Sequence, residues 1–202
     1  MPNRVSILIE GYVDEDRATG TVTLVKTSEG RVVLVDAGDP WNGEELRGRL
    51  REEGLEADEI TDVVITHGHI DHCGNVSMFR RARFFMDGDW AKDGRYGQRE
   101  GRHSITSSVW VEARRGHTAT DLVVVVEDGT IGRRREAEVE EKEQRTGTVV
   151  VAGDLFEDGD DEEKWRGNSQ YPEEHEKSRE YVRQIADWIV PGHGDAFKVD
   201  KN

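Results

Sequence analysis

The chain has a single cysteine, few aromatic residues and no long apolar run, and each scarcity excludes something. Cys73 has no second thiol to pair with, so no disulfide forms within the chain. A reducing cytosol is the expected setting, with the nucleus also compatible. Apolar residues make up 34%, and no uninterrupted stretch approaches the roughly 18 residues of a membrane span. The opening MPNRVSILIEGYV reads as a strand and not as a secretion signal, because Glu10 interrupts it and no small-residue cleavage site follows. Basic residues are outnumbered, 28 against 43, which leaves a net charge of −15. Such a field disfavours nucleic acid and anionic membrane at long range. The deficit is uneven, however. Acids concentrate in residues 157–163 (EDGDDEE), while arginines cluster at 80–83 (RRAR), 95–102 and 114–115, so a local basic rim remains admissible.

At 202 residues the expectation is one domain over 1–202 with a real buried core. Segments 5–12, 21–26 and 31–35 read as strands of a glycine-turned meander. Residues 42–53 carry Leu46 and Leu50 four apart and are closed by Gly54, which predicts an amphipathic helix. Segment 62–66 is a buried-looking strand that delivers His67; a short helix at 75–79 and a strand at 83–86 follow. Further strands are expected at 108–112, 122–127 and 146–152, then a helix over 172–187 with Pro172 in its first turn, and a last strand at 188–190. This order implies an α/β (α+β) fold in which two sheets pack together with helices on their outer faces. Residues 129–145 (GTIGRRREAEVEEKEQR) are dense in charge and read as an extended hairpin loop or insertion.

The chemistry concentrates in TDVVITHGHIDHCGN, where three of the seven histidines and an aspartate fall within six positions after an apolar strand. His67 and His69 are two apart, a spacing that turns both side chains the same way on extended or loop backbone but not on a helix. Imidazole and carboxylate are the usual ligands of zinc or iron. Three more candidates share the same setting at a strand end beside glycine. They are His117 in RRGHTATD, Asp154 in VVVAGDLFE and His193 in WIVPGHGD. Alone, Asp154 would read as a turn or cap; the company gives it weight. Cys73 reads as a small packing residue, His175 as a solvated member of a charged helix, and His103 as a weak candidate for substrate contact or proton donation.

The order His-x-His-x-Asp-His, Gly-His, Gly-Asp, Pro-Gly-His-Gly resembles the metallo-β-lactamase superfamily over nearly the whole chain, from about residue 21 to 197. The resemblance implies an αββα sandwich and two metal ions, zinc with iron or manganese as alternatives. It implies that His67, His69 and His117 hold the first ion, that Asp71, His72 and His193 hold the second, and that Asp154 bridges both. Asp71 would also be catalytic, orienting a metal-bridging hydroxide. Many relatives have Thr-Pro where Arg114-Arg115 stand. Those arginines either add positive potential at the site's rim or are a solvated strand end.

The superfamily hydrolyses thioesters, lactones, β-lactams and phosphodiesters, and the ligands do not choose among them. His69 argues against the redox diiron members, which carry glutamate there. The C-terminal part, from Gly-Asp-x-Phe-Glu through the Trp165 region to Pro-Gly-His-Gly, is similar to a narrower branch with a glyoxalase II-like core. That branch implies an endoribonuclease acting at histone pre-mRNA 3′ ends. RNA is therefore the first expected substrate, followed by a small anionic ester or thioester, with a non-catalytic metal-binding module as a third reading. No membrane partner is expected, and the oligomeric state stays open, a homodimer included.

Overall fold

The computed structural model describes residues 2–99, 101–132 and 145–201. The first half runs β1 (Asn3–Ile9), a short hairpin of β2 (Tyr12–Val13) and β3 (Ala18–Thr19), β4 (Val22–Lys26), β5 (Val32–Val35) and α1 (Gly43–Glu52). It continues through β6 (Asp62–Val64), the single turn α2 (Ile70–Cys73), β7 (Arg83–Met86), β8 (Asp89–Lys92) and β9 (Arg95–Gln98). The second half holds β10 (His103–Ser104), β11 (Val109–Arg114), β12 (Asp121–Gly132) and β13 (Thr146–Gly153). The short α3 (Lys164–Asn168), α4 (Pro172–Ile185), β14 (Trp188–Pro191) and β15 (Phe197–Lys198) close the chain.

The apolar runs VVLV, LVVVV and VVVA are buried on both faces, which is why they read as continuous and not as alternating. Their two faces feed different layers. Val33, Val35, Val64, Val124, Val126, Val149 and Val151 point into a central layer between the two halves of the sheet. Leu24, Leu34 and Val63 point the other way, onto Leu46 and Leu50 of α1. Val123, Val125, Val150 and Ala152 do the same on the far side, onto Val182 beside Ala186 at the end of α4. The result is helix, sheet, sheet, helix, the αββα sandwich.

The two expected sheets are hydrogen-bonded into one. Its order is β15-β14-β13-β12-β1-β4-β5-β6-β7-β8-β9, with β11 also on β12, and it folds over where β1 lies parallel to the distal part of β12. Locally the structure goes beyond those expectations. The stretch after β7, to which no element was assigned, contains the β8–β9 hairpin, turned at Asp93 and Gly94 with φ of 51° and 77°. The loop after His67 closes into the helical turn α2. Of the charged segment expected at 129–145, Gly129–Gly132 continues β12, and residues 133–144 lie outside the described residues. No helix among the described residues is long and apolar enough to cross a membrane.

Strands β5, β6 and β7 run parallel, as do β13 and β14. Their C-terminal ends, joined by the β11–β12 connection, carry every histidine and aspartate singled out as a ligand.

Candidate metal centre

Each residue of the cluster leaves the sheet at a strand end. Val64 of β6 leads to Thr66 and His67; α2 turns Asp71 and His72 back toward them; β13 ends at Asp154 and β14 at His193. The turns are close-fitting. Gly153 adopts φ 54°, and a side chain on Gly192 would stand 1.9 Å from Asp154 Oδ1. Gly192 is thus what lets the chain deliver His193 past that carboxylate.

His67, His69, His117 and Asp154 converge, and so do Asp71, His72 and His193. In the first group His69 Nδ1 lies 2.9 Å from His67 Nε2 and 3.1 Å from His117 Nε2, while Asp154 Oδ2 is 3.4 Å from both of those Nε2 atoms. A tetrahedral ion with ligands at about 2.0–2.1 Å spaces them about 3.3 Å apart. In the second group His72 Nε2 lies 3.1 Å from Asp154 Oδ1 and 3.5 Å from Asp71 Oδ2, and His193 Nε2 is 3.9 Å from Asp71. Asp154 thus reaches both groups: Oδ1 faces His72, while Oδ2 faces His67 and His117 and also lies 3.5 Å from His193 Nε2. His72 Nε2 and Asp154 Oδ1 are buried and have no hydrogen-bond partner, the condition of atoms arranged for a cation. These groups are able to bind metal ions.

The electrostatics agree. Burial pushes the His117 imidazole down to about 3, and burial followed by the neighbouring His67 lowers His69. Both are in the neutral form a metal needs. Burial also opposes charge on His72, but Asp154 and Asp36 outweigh it and hold that ring well above its usual value. Asp154 stays ionised despite burial because His72 and His67 flank it. Protons on the second group thus balance its carboxylates, and a divalent cation would release them.

Two buried acids escaped the sequence reading. Asp36, held at φ 61°, accepts hydrogen bonds from Thr66 N at 2.7 Å, Thr66 Oγ at 2.8 Å and His72 Nδ1 at 2.8 Å. Its signal was the Asp-Ala-Gly-Asp that ends β5, which reads equally well as a turn. Glu157 is 6% exposed, lines the cleft and accepts a hydrogen bond from Asn168 Nδ2 at 3.0 Å; burial, then Asp154, raises its carboxyl.

The remaining candidates lie elsewhere. His103 packs edge-on against Phe85 and does not join the cluster. His175, expected in solvent, is fully buried, with Nε2 bonded to the Leu155 carbonyl at 3.1 Å and its ring 4.6 Å from Trp165. The face of α4 that carries it also buries Arg179, whose guanidinium needs a depth of polar partners supplied by Asp161 and Leu155. Cys73 packs beside the α1 layer. Arg114 lies over Tyr181 at 3.6 Å and pairs with Glu112, and Arg115 lies over Tyr171 at 3.7 Å; neither lines the cleft.

The cleft over the cluster, about 310 Å³, is walled by Val13, Ala18, Asp71, Glu157 and Asn168 besides the imidazoles. An adjoining hollow adds Asp14, Asp158 and Lys164, the lysine paired with Asp158 at 2.9 Å.

Residues 16–109 match the model of the metallo-beta-lactamase superfamily. Metallo-beta-lactamase domain-containing protein 1 of Xenopus laevis is 34% identical over all of this chain and 84% of its own. Among solved structures, a Thermotoga maritima protein described as a metallo-beta-lactamase superposes with TM-score 0.67 at 18% identity, covering 98% of this chain and all of that one. An N-acyl homoserine lactone hydrolase, with its product N-hexanoyl-L-homoserine at the catalytic metal centre, superposes with TM-score 0.64 at 15% identity, over 95% and 92% of the two chains.

Proposed function

From the premise that this chain belongs to the metallo-β-lactamase superfamily, we propose that it is a two-metal hydrolase of small carbonyl substrates, a thioester, ester or lactone. The observation that carries this reading is the charge of the cleft. Among the described residues, five carboxylates and one lysine line the two hollows over the cluster, and no arginine does. Two divalent ions would bring that balance to about zero, which leaves no standing attraction for a polyanion. A carbonyl compound needs none.

Zinc, or iron or manganese, when bound, would supply Lewis acidity and a water acidic enough to attack near neutral pH. The chain's own residues do the rest. Asp154 holds the two groups in register through its two oxygens. Asp71, facing the cleft, accepts a hydrogen bond from the attacking water and turns its lone pair toward the carbonyl. Thr66, Asp36 and the Thr19 carbonyl fix the outer nitrogens of His67, His72 and His193, so the inner nitrogens keep their aim. Val13 and Ala18 on the β2–β3 hairpin provide an apolar wall for the acyl part.

Cleavage of RNA phosphodiesters is the second reading. The resemblance to the narrower branch favours it, as does a hollow lined by Arg31, Arg81, Arg83 and Lys92. That hollow lies at the N-terminal ends of β5 and β7, whereas the cluster lies past the C-terminal ends of the same parallel strands. A four-residue strand separates the two by about 13 Å, and Arg31, Arg81 and Arg83 are already paired with Asp62 and Asp58.

A panel of thioester, lactone and RNA substrates, run on metal-replete protein at two salt concentrations, tests the choice. Carbonyl turnover that barely changes with salt is expected. RNA cleavage that falls steeply with salt would replace this reading with the second. The absence of any turnover would leave only a metal-binding module.

A further inference from the structure

The imidazoles of the cluster differ in what holds their outer nitrogen. His67 Nδ1 meets Thr66 Oγ at 3.1 Å, His72 Nδ1 meets Asp36 Oδ2 at 2.8 Å, and His193 Nδ1 meets the Thr19 carbonyl at 3.0 Å. His69 is exposed and open to water. His117 is the exception: it is 4% exposed, it turns Nε2 to the cluster, and its Nδ1 is buried without a hydrogen-bond partner.

Glu157 Oε1 lies 3.9 Å from that nitrogen. Its backbone is fixed on both sides, with the N–H donating to Asp161 Oδ2 at 3.1 Å and the carbonyl accepting from His193 N at 2.8 Å. Only the side chain can adjust. Its Oε1 already accepts from Asn168 Nδ2, and a carboxylate oxygen has a second lone pair to offer. Asn168 belongs to the segment that clamps the His117 turn, where Gln170 N donates to the His117 carbonyl and Tyr171 N to the Gly116 carbonyl. Carboxylate and imidazole are thus presented to each other by the same short stretch of chain.

We propose that Glu157 is the positioning residue of His117, accepting a hydrogen bond from Nδ1–H and so directing the Nε2 lone pair to the first metal. The inference rests on the reading that His67, His69 and His117 hold a metal ion. A ring whose outer N–H is held by a carboxylate has one tautomer, one orientation and a more basic inner nitrogen. The gap exceeds the hydrogen-bond range of about 2.9 Å by about 1 Å, and with its backbone held the glutamate side chain is the part that would close it.

Zinc titration against a chromophoric chelator, with the cobalt-substituted spectrum as a second readout, tests this on the full chain. Glu157→Ala is expected to weaken zinc at the first group about 10–100-fold while the second group keeps its affinity, and Glu157→Gln, which retains an acceptor oxygen, to restore part of the loss. A changed cobalt spectrum with unchanged thermal midpoint would accompany the loss. Equal weakening at both groups together with a lowered midpoint would make Glu157 merely structural and overturn the proposal, as would unchanged affinities in Glu157→Ala. His117→Ala serves as the control for the underlying reading. If it binds as much zinc as the wild type, the first group holds no metal and the proposal falls with that reading, not through Glu157.

Discussion

Two aspartates mark the two ends of the same parallel strands, and their surroundings are opposite in kind. Asp62, fully buried at the start of β6, accepts from Arg31 Nε at 2.9 Å, Arg83 Nε at 2.9 Å and Thr61 Oγ at 2.8 Å. Asp36, 2% exposed just past β5, accepts from Thr66 and from His72. Guanidinium is permanently charged and presents only donors, so the Asp62 triad is closed and has no valence left over. Imidazole has a second nitrogen. The carboxylate that holds His72 by Nδ1 leaves Nε2 aimed outward at Asp154 and Asp71. A buried acid beside arginines fastens the sheet; a buried acid beside a histidine sets up a ligand.

The largest expected effect lies between the two groups that Asp36 helps to build. Asp154→Ala removes the carboxylate whose oxygens face both, so it should reduce metal below two per chain and cut turnover by more than the about 10–100-fold typical of outer-sphere changes. Metal analysis and kinetics on the purified variant check this. Two bound ions with unchanged rates would deny Asp154 its bridging role.

Asp62→Ala should break the closed end alone. It leaves two guanidinium groups without their shared partner, at a cost to folding of about 3 kcal/mol, moderated because both arginines reach solvent. Denaturant unfolding reads that loss, and the zinc content of the folded fraction should not change. If Asp62→Ala lost metal before it lost stability, the contrast between the two ends would be wrong. Asp36→Asn is the reciprocal experiment. It keeps shape and an acceptor but removes the charge that holds His72, so zinc at the second group should weaken about 10–100-fold with a far smaller loss of stability. Chelator competition measures the first quantity and unfolding the second.

The same contrast explains how much could be read from residues alone. His67, His69, Asp71 and His72 were legible because they crowd into six positions, Asp154 and His193 because each follows an apolar run and a glycine, and His117 because its glycine-histidine turn stands just before an apolar strand. Asp36 and Glu157 were not, since a single acid after a strand or in an acidic run carries no signal until its partner is known. Helix α4 misled for a related reason. PEEHEKSRE has the composition of a solvated surface, yet His175, Ser178 and Arg179 lie on its inner face. Their burial depends on Leu155 and Asp161, which approach from a different part of the chain. The sandwich was legible as two sheets with outer helices; the β1–β12 pairing that unites them lies between segments more than a hundred residues apart and leaves no local trace.

His175 supplies the smallest test, because it is a buried imidazole without a carboxylate. Burial, opposed by the hydrogen bond to the Leu155 carbonyl, pushes its pKa down to about 4, whereas His72, equally buried, is raised by Asp154 and Asp36. The unfolded chain takes up a proton near pH 6.5 that the folded chain refuses until about pH 4. Stability from this residue is therefore complete above pH 6.5 and declines as the pH falls toward 4, by about 2 kcal/mol at pH 5. His175→Gln keeps a donor for Leu155 and cannot titrate. Denaturant unfolding of the two metal-free proteins at pH 7 and pH 5 should show the variant losing about 2 kcal/mol less than the wild type. Equal losses would mean that the ring is hydrated or paired in solution, and that a carboxylate is not what separates the two buried histidines.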